Sequence, residues 1–253
     1  MEWLAQPEIL AWLFLAAMLA GFVDALAGGG GLITVPALLL AQVPPVAALA
    51  TNKLQAAFGS FTASFRMLRS GLVRWREVRP LFFASLIGSA IGTLLVMQLD
   101  ATVLDAVIPT VLILIALYYL LVPNVTDASR PRISERAYRY TAAPGIGFYD
   151  GFFGPGTGSL FAFTRNALRG DSLLSATARA KIMNFASNVA SLVLFALGGH
   201  MLWLVGGVMI LGQIIGASLG SQLIIGGKVR WIRPTIVCVC IAMAIRYLWQ
   251  TFQ

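Results

Sequence analysis

Apolar residues dominate this chain in runs of helix length, separated by short polar connections. About 20 consecutive apolar residues are long enough to cross a bilayer as an α-helix. The pattern predicts an all-α polytopic membrane protein with five segments on each side of a polar connection at 123–139. The segments are 9–27, 32–41, 47–65, 80–98 and 103–122, then 140–153, 158–168, 173–197, 203–224 and 234–250.

The two sets of five segments are similar at a fixed spacing of 128 residues. This offset pairs Lys53 with Lys181, and the glycine-containing run 88–92 with 216–220. We interpret the match as a duplication. An odd number of segments per copy inverts the second copy in the membrane, as in many secondary transporters. The predicted units are a first repeat, a cytoplasmic linker and a second repeat: 1–122, 123–139 and 140–253.

Basic residues lie in alternate connections, as inversion requires. Fourteen of the 18 Lys and Arg residues fall in the linker and in the connections near 66–79, 165–171 and 228–233, whereas 194–207 has none. Because basic connections stay in the cytoplasm, both termini are predicted to be periplasmic.

Segments 32–41 and 158–168 are too short to span a bilayer. Ten residues of helix extend about 15 Å, against a hydrocarbon core of about 30 Å. The sequence leaves two options open, ten crossings or eight crossings with two re-entrant hairpins.

Composition excludes several classes of protein. The chain is 58% hydrophobic and 11% charged, with a mean hydropathy of +0.83, whereas a soluble domain is about 25% charged. The net charge of +8 comes from the basic connections, so topology explains it and nucleic acid is not expected as a partner. The N-terminus has an acidic start and no cleavage site, so it is interpreted as a first membrane helix.

Catalytic and metal-binding motifs are missing from the sequence. The chain has a single histidine, His200, which excludes a zinc-protease site or a His-based triad. Cys238 and Cys240 are two residues apart on a predicted helix, so they face different ways. We therefore predict no enzyme activity, no metal and no cofactor.

Two glycine-rich breaks interrupt the apolar pattern in matching places. The first is Gly28 to Gly31, and the second is the run GPGTG at 154–158. Broken helices survive inside a membrane only where protein or a polar cavity surrounds them, and their N-terminal N–H groups attract anions. The alternative is that these glycines only allow close packing or a turn. The predicted anion contacts at the breaks are Gly29, Gly30, Gly156 and Thr157.

A lysine lies inside a predicted membrane segment of each repeat. Lys53 and Lys181 each cost about 2.5–3.5 kcal/mol at a helix centre, so their burial needs a function. The alternative is that both side chains snorkel to the membrane surface. Polar residues accompany each lysine, which predicts a lined pathway or polar contacts between helices. The predicted lining residues are Asn52, Gln55, Asn184 and Asn188.

One acidic residue precedes each break. Asp24 and Asp150 are interpreted as proton-coupling sites, as structural ion-pair partners of the two lysines, or as acceptors of hydrogen bonds from nearby helix N-termini. Gln213 is a further polar residue at depth, and we include it as a predicted substrate contact. Its counterpart at the 128-residue offset is Ser85.

At these residues the chain resembles the TauE/SafE sulfite-exporter family of membrane permeases, in its YfcA-type bacterial branch. The similarity rests on five stretches: GFVDALAGGGGL, ALATNKLQ, GFYDGFFGPGTGSL, ARAKIMNFASN and GQIIGASLGS. The resemblance implies export of sulfite or small organosulfonates across a bacterial inner membrane. It also implies that the polar lining between the repeats consists of Asn52, Lys53, Gln55, Lys181, Asn184 and Asn188.

The sequence therefore predicts a permease that moves small sulfur-containing anions by alternating access, with proton coupling as an option. An anion channel or a non-transporting membrane scaffold are the alternatives. The expected partners are the anionic substrate and the lipid bilayer. The oligomeric state is open, with a homodimer as one option.

Overall fold

The structure of the chain is a computed structural model that describes residues 2–100, 103 and 130–226. A 3-10 turn at Glu2–Ala5 comes first, and no strand occurs in the described residues, which confirms the all-α fold. Of the predicted segment 103–122 only residue 103 is described, and the predicted segment 234–250 lies outside the described residues. The helices are α1 Pro7–Ala27, α2 Gly31–Leu40, α3 Pro45–Arg69, α4 Trp75–Val96, α5 Glu135–Tyr140, α6 Ala142–Phe152, α7 Thr157–Arg169, α8 Leu173–Leu197 and α9 Trp203–Ile225.

Four of these helices, α1, α4, α8 and α9, are long and apolar enough to cross a membrane. This confirms a multi-pass membrane protein. Helix α3 has 25 residues but carries a polar stripe through its first half. Helices α2 and α7 have 10 and 13 residues, about 15 and 20 Å of helix, so neither spans a core of about 30 Å unaided. Their lengths favour the re-entrant hairpin over a full crossing.

Side-chain contacts give the relative directions of the central helices. Met67 near the end of α3 clusters with Ala178 and Ile182 near the start of α8, whereas Leu49 near the start of α3 clusters with Phe195 near the end of α8. The two lysine-bearing helices are therefore antiparallel. Helices α4 and α8 are parallel instead, since the hydroxyls of α4 bond successive turns of α8 in register.

Glycines allow the helices to approach closely at two crossings. Helix α1 packs along α9, and α6 packs along α4. The helix that precedes each glycine break therefore contacts the last described helix of the opposite half. A Cβ at Gly92 would overlap the backbone of α6 at Phe148, and a Cβ at Gly216 would overlap the backbone of α1 at Met18. Small residues at such positions are typical of membrane helix packing, because backbones can then make direct contact.

Replacing Gly92 by alanine is expected to destabilise the protein. The added methyl group meets α6 backbone atoms, which cannot move aside as a flexible side chain would. Overpacking of this kind costs about 1–3 kcal/mol. Gly207→Ala is the matched control, because nothing lies within 4 Å of its Cβ position. Thermal unfolding in detergent should show a lower melting temperature for Gly92→Ala alone, and equal melting temperatures for the two variants would contradict this packing argument.

The predicted polar linker is helical at its end. Residues 135–139, assigned to the linker from the sequence, belong to α5, which ends at Tyr140 before α6 begins at Ala142. Pro144 explains the interruption, since proline has no N–H to donate and its ring clashes with the carbonyl four residues earlier. That carbonyl belongs to Tyr140. The second half therefore enters its first segment through a kinked pair of helices.

The position of Arg165 differs from the prediction. The sequence placed it in the turn 165–171, but it lies within α7 and its side chain is 0% exposed. Its Nη1 donates to both carboxylate oxygens of Glu135 at 2.8 Å, and its Nε donates to Asp171 at 2.7 Å. Arg169 also bonds Glu135, at 2.9 Å. These ion pairs link α5, α7 and the short connection before α8 at the end of the protein that carries the basic connections.

The ionic cluster consists of Glu135, Arg165, Arg169 and Asp171. Two groups in or beside it have shifted pKa values. Burial acts to raise the pKa of Glu135, but the hydrogen bonds and charges of Arg165 and Arg169 together outweigh it, and the pKa lies below its ordinary value. Burial raises the pKa of Tyr138 to about 12, and its hydroxyl lies 2.8 Å from that of Thr164. Glu135 therefore stays ionised at neutral pH and Tyr138 stays neutral.

Candidate functional site

The two glycine breaks lie against each other in the centre of the protein. Gly28, between α1 and α2, adopts a φ of 79°, which favours glycine. A Cβ at Gly28 would overlap the backbone of Gly158 and Ser159 at the start of α7, and a Cβ at Gly31 would lie 3.0 Å from Pro155. The two breaks that the sequence places in matching positions therefore meet as backbone against backbone.

Lys53 forms an ion pair with Asp150 across the two halves. Lys53 is the ninth residue of α3, which begins at Pro45, and its Nζ donates to Oδ1 of Asp150 on α6 at 2.6 Å. Both side chains are buried, with 1% and 2% of their surface exposed. Oδ2 of Asp150 is also buried and has no hydrogen-bond donor among the described residues.

Lys181 forms the reciprocal pair with Asp24. It is the ninth residue of α8, which begins at Leu173. Its ammonium donates to the backbone carbonyl of Asp24 and lies 3.4 Å from Oδ2 of that residue. Its side chain is 1% exposed. Neither lysine reaches the protein surface, so the snorkelling alternative does not describe this structure.

Gly154 lies directly against the first ion pair. Its φ is 102°, and a Cβ on it would lie 2.8 Å from Nζ of Lys53 and 3.2 Å from Oδ1 of Asp150. The missing side chain therefore leaves the ammonium in contact with the backbone of the second break. Thr157 completes this turn by donating its hydroxyl to the carbonyl of Gly154 at 2.7 Å.

Replacing Gly154 by alanine is expected to impair both fold and transport. The methyl group would force the ion pair apart, and the left-handed backbone is strained for any residue with a Cβ, at a cost of about 1–3 kcal/mol. Gly145→Ala, in the neighbouring helix, has nothing within 4 Å of its Cβ and serves as the control. Flux in proteoliposomes and the melting temperature report both effects. Normal flux for Gly154→Ala would show that the space beside the pair is not needed.

A hydrogen-bonded triad lies at the first break. Thr34 on α2 donates to Oδ1 of Asn52 at 2.5 Å, and Nε2 of Gln55 donates to Oδ1 of Asn52 at 2.9 Å and to the hydroxyl of Thr34 at 3.2 Å. Asn52 and Gln55 were predicted as lining residues, whereas Thr34 was missed. The signal was present, because Thr34 is the one hydroxyl side chain in the otherwise apolar α2, GLITVPALLL.

The predicted polar residues Asn184, Asn188 and Gln213 are buried on two helices of the second half. Nδ2 of Asn188 donates to the backbone carbonyl of Asn184 at 2.8 Å, and both side chains are buried. Gln213 on α9 is 1% exposed, and its amide faces Gly59 on α3. Its Oε1 has no hydrogen-bond partner in the described part of the chain. Gln213 thus lies between α9 and α3.

The helix starts at the breaks offer fewer free donors than the sequence predicted. Within α2, the N–H groups of Leu32 and Ile33 bond the carbonyls of Gly29 and Gly30. Thr157 and Ser159 do the same at the start of α7. Gly29, Gly30 and Gly156 are buried in these turns. Much of the polarity at the site therefore comes from the ion pairs and the side-chain amides.

A multi-pass helical bundle with broken helices and buried ion pairs at its centre has the architecture of a membrane transporter. The profile of the family described as Sulfite exporter TauE/SafE matches residues 13–247. The chain therefore belongs to the sulfite exporter TauE/SafE family.

Three relatives support this assignment. A protein of Haemophilus influenzae named "Probable membrane transporter protein" is 43% identical over 244 residues, covering 96% of each chain. "Probable membrane transporter protein ORF9" of a Sinorhizobium species is 46% identical over 95% of this chain and 93% of its own. YfcA of Escherichia coli K12, also named a probable membrane transporter, is 42% identical over 98% and 93%. No solved structure matches the chain.

Proposed function

We propose that this membrane transporter exports small sulfur-containing anions, sulfite or organosulfonates, by alternating access. The observation that carries the proposal is the reciprocal pairing of Lys53 with Asp150 and of Lys181 with Asp24 across the two contacting breaks. These pairs place two ammonium groups inside the protein, where an anion can bind only by contacting them or the neighbouring amides. Sulfite is named in the family description, and we extend the proposal to organosulfonates because they carry the same type of anionic group.

The alternating motion follows from an inverted repeat. Two features support the inversion. Helices α3 and α8 are antiparallel, and each carries its lysine at the ninth position. In addition, α1 packs on α9 and α6 packs on α4, so the helix before each break contacts the opposite half. Rocking of one half against the other would then expose the central site first to one side and then to the other.

The distribution of basic residues indicates which face of the protein would be cytoplasmic. The ionic cluster around Arg165, with the arginines from Arg66 to Arg79, would face the cytoplasm of a bacterial inner membrane, and both termini would face the periplasm. Reaction of impermeant thiol reagents with single cysteines placed at the exposed Ser70 and Asp100, in a protein from which Cys238 and Cys240 have been removed, would test this arrangement. The first should react only from the cytoplasmic side, and the second only from the periplasmic side.

A binding screen followed by flux tests the function. Sulfite, sulfoacetate, isethionate, thiosulfate and sulfate are added in turn to the purified protein, because a bound ligand raises the melting temperature by mass action. Anions that bind are then followed in proteoliposomes. Saturable flux supports a carrier. Flux without saturation would favour a channel, and no ligand effect at all would favour a scaffold.

A further inference from the structure

We propose that Asp150 is the proton-carrying residue of this transporter and that the substrate anion replaces it as the partner of Lys53. Each anion then moves together with one proton. The inference rests on the proposed function and deepens it, since it assigns the coupling residue and the charge carried per cycle. The pair formed by Lys181 and Asp24 is assigned a structural role.

The first argument is the burial of Lys53. Its ammonium is 1% exposed and bonds a single carboxylate oxygen. An unpaired buried charge is strongly unfavourable, so this ammonium needs an anionic partner at every stage of the cycle. A substrate anion can bind Lys53 only if the hydrogen bond between Lys53 and Asp150 breaks. Breaking it costs little only if the carboxylate of Asp150 is first neutralised.

The second argument is the free oxygen of Asp150. Oδ1 accepts from Lys53, while the buried Oδ2 has no donor among the described residues. A proton added at Oδ2 makes the carboxyl neutral without first breaking another hydrogen bond. Gly154 adds space at the same point, because a Cβ there would lie against both Nζ of Lys53 and Oδ1 of Asp150.

The groups around Asp150 define its electrostatic environment. Lys53 faces it from α3, and Asp24 on α1 is the second carboxylate near enough to act on Lys53. Asp24 is engaged by Lys181 of α8. Tyr149, next to Asp150 on α6, donates its hydroxyl to the carbonyl of Pro155 at 2.7 Å. From α4, Ser89 and Thr93 contribute neutral hydroxyls that bond α6 or α8.

The charges balance in each step. In the empty state, Lys53 and Asp150 form a neutral pair. A proton binds Oδ2 of Asp150, the anion takes the ammonium of Lys53, and the loaded site holds one cation, one monovalent anion and a neutral acid. After the site opens to the other side, the anion leaves, Asp150 releases its proton, and the pair re-forms. Transport of a monovalent anion is therefore electroneutral, and the combined anion and proton gradients set its direction.

The two carboxylates differ in their geometry, which selects Asp150. Oδ1 of Asp150 lies 2.6 Å from its lysine, and this is the hydrogen bond that holds the ammonium. Lys181 donates to the backbone carbonyl of Asp24, and its distance to the carboxylate is 3.4 Å. Protonation of Asp24 would leave that carbonyl bond intact, so Lys181 would not be released.

The test uses isethionate, a sulfonate that keeps one negative charge throughout the neutral pH range. Flux into proteoliposomes is measured with the unsubstituted protein, together with internal pH. We expect one proton per anion, no change in flux when a potassium diffusion potential is imposed, and an apparent affinity that weakens about tenfold per pH unit on the alkaline side. This measurement needs no variant to fold.

Asp150→Asn gives the second arm. The amide cannot carry a proton, so Lys53 keeps its charge in the empty state, and the remaining flux should lose its pH dependence and respond to the imposed potential. Asp24→Asn should keep the pH slope and the insensitivity to potential at whatever rate it retains. Flux by the unsubstituted protein that is electrogenic or carries no proton would overturn this inference and leave the proposed function standing. If isethionate is not a substrate, the same measurement is made with the anion that the binding screen identifies, and no flux of any anion in the screen would overturn both.

Discussion

Replacing Lys53 by methionine is expected to abolish anion flux and to destabilise the protein by about 3–5 kcal/mol. Methionine has a similar apolar stem but no ammonium, so the buried Asp150 carboxylate loses the donor that now lies 2.6 Å from it. Both effects arise from one lost charge. Flux in proteoliposomes and thermal unfolding in detergent measure them separately.

The double variant Lys53→Met/Asp150→Asn separates fold from function. Removing both charges eliminates the unpaired carboxylate, so the melting temperature should recover most of the loss. Flux should not recover, because Lys53, the ammonium to which the anion binds, is absent. Lys181→Met is the comparison for stability. It should cost less, since its ammonium lies farther from its carboxylate, at 3.4 Å. Transport by the double variant would contradict the role assigned to Lys53.

Replacing Arg165 by methionine is expected to cause the largest loss of stability among the arginines of the basic end. Its guanidinium, 0% exposed, bonds two carboxylates, those of Glu135 and Asp171. Removing it takes charged hydrogen bonds from Asp171 and from Glu135, which is 44% exposed and keeps Arg169 as a partner, at a cost of about 1.5–3 kcal/mol. Arg165→Lys should be nearly as damaging, because an ammonium cannot reproduce the forked contacts. Arg76→Met, at an exposed site, is the control.

The pH dependence of this loss gives an independent check. The pKa of Glu135 is lowered from 4.5, so the contribution of its ion pairs is fully present above that value and is lost as the pH falls through the lower folded-state pKa. The difference in melting temperature between the unsubstituted protein and Arg165→Met should therefore narrow toward pH 4 and below. A constant difference across that range would show that packing, and not charge, explains the effect.

Much of this fold could be predicted from the hydrophobic pattern. The segments 173–197 and 203–224 match α8 and α9 to within one residue, because long apolar runs between polar turns leave few alternatives. Pro144 and α5 were missed, since polar residues at a helix start have the composition of a linker. Arg165 was missed for a related reason: a basic residue near a connection is normally exposed, and its burial depends on two acidic partners, one of them 30 positions away.

The candidate site shows where sequence reasoning ends. Lys53 and Lys181 could be identified because a charge in an apolar run is costly, and Asp24 and Asp150 because they precede the breaks. The sequence did not show which lysine pairs with which aspartate. Lys53 bonds an aspartate 97 residues away and Lys181 one 157 residues away. Only the packing of α1 on α9 and of α6 on α4 brings those partners together.

The packing of α1 on α9 also sets the timing of folding during synthesis. Helix α1 begins at Pro7, and its main partner α9 is complete only at Ile225. A ribosome adding about 5–20 residues per second needs roughly 10–40 s between the two. Lys181 is synthesised 157 residues after Asp24, roughly 8–30 s later, and until then Asp24 is in the membrane without its partner. The nascent first half must therefore be sheltered by lipid, by water at the insertion site or by a chaperone until the last turns of α9 emerge.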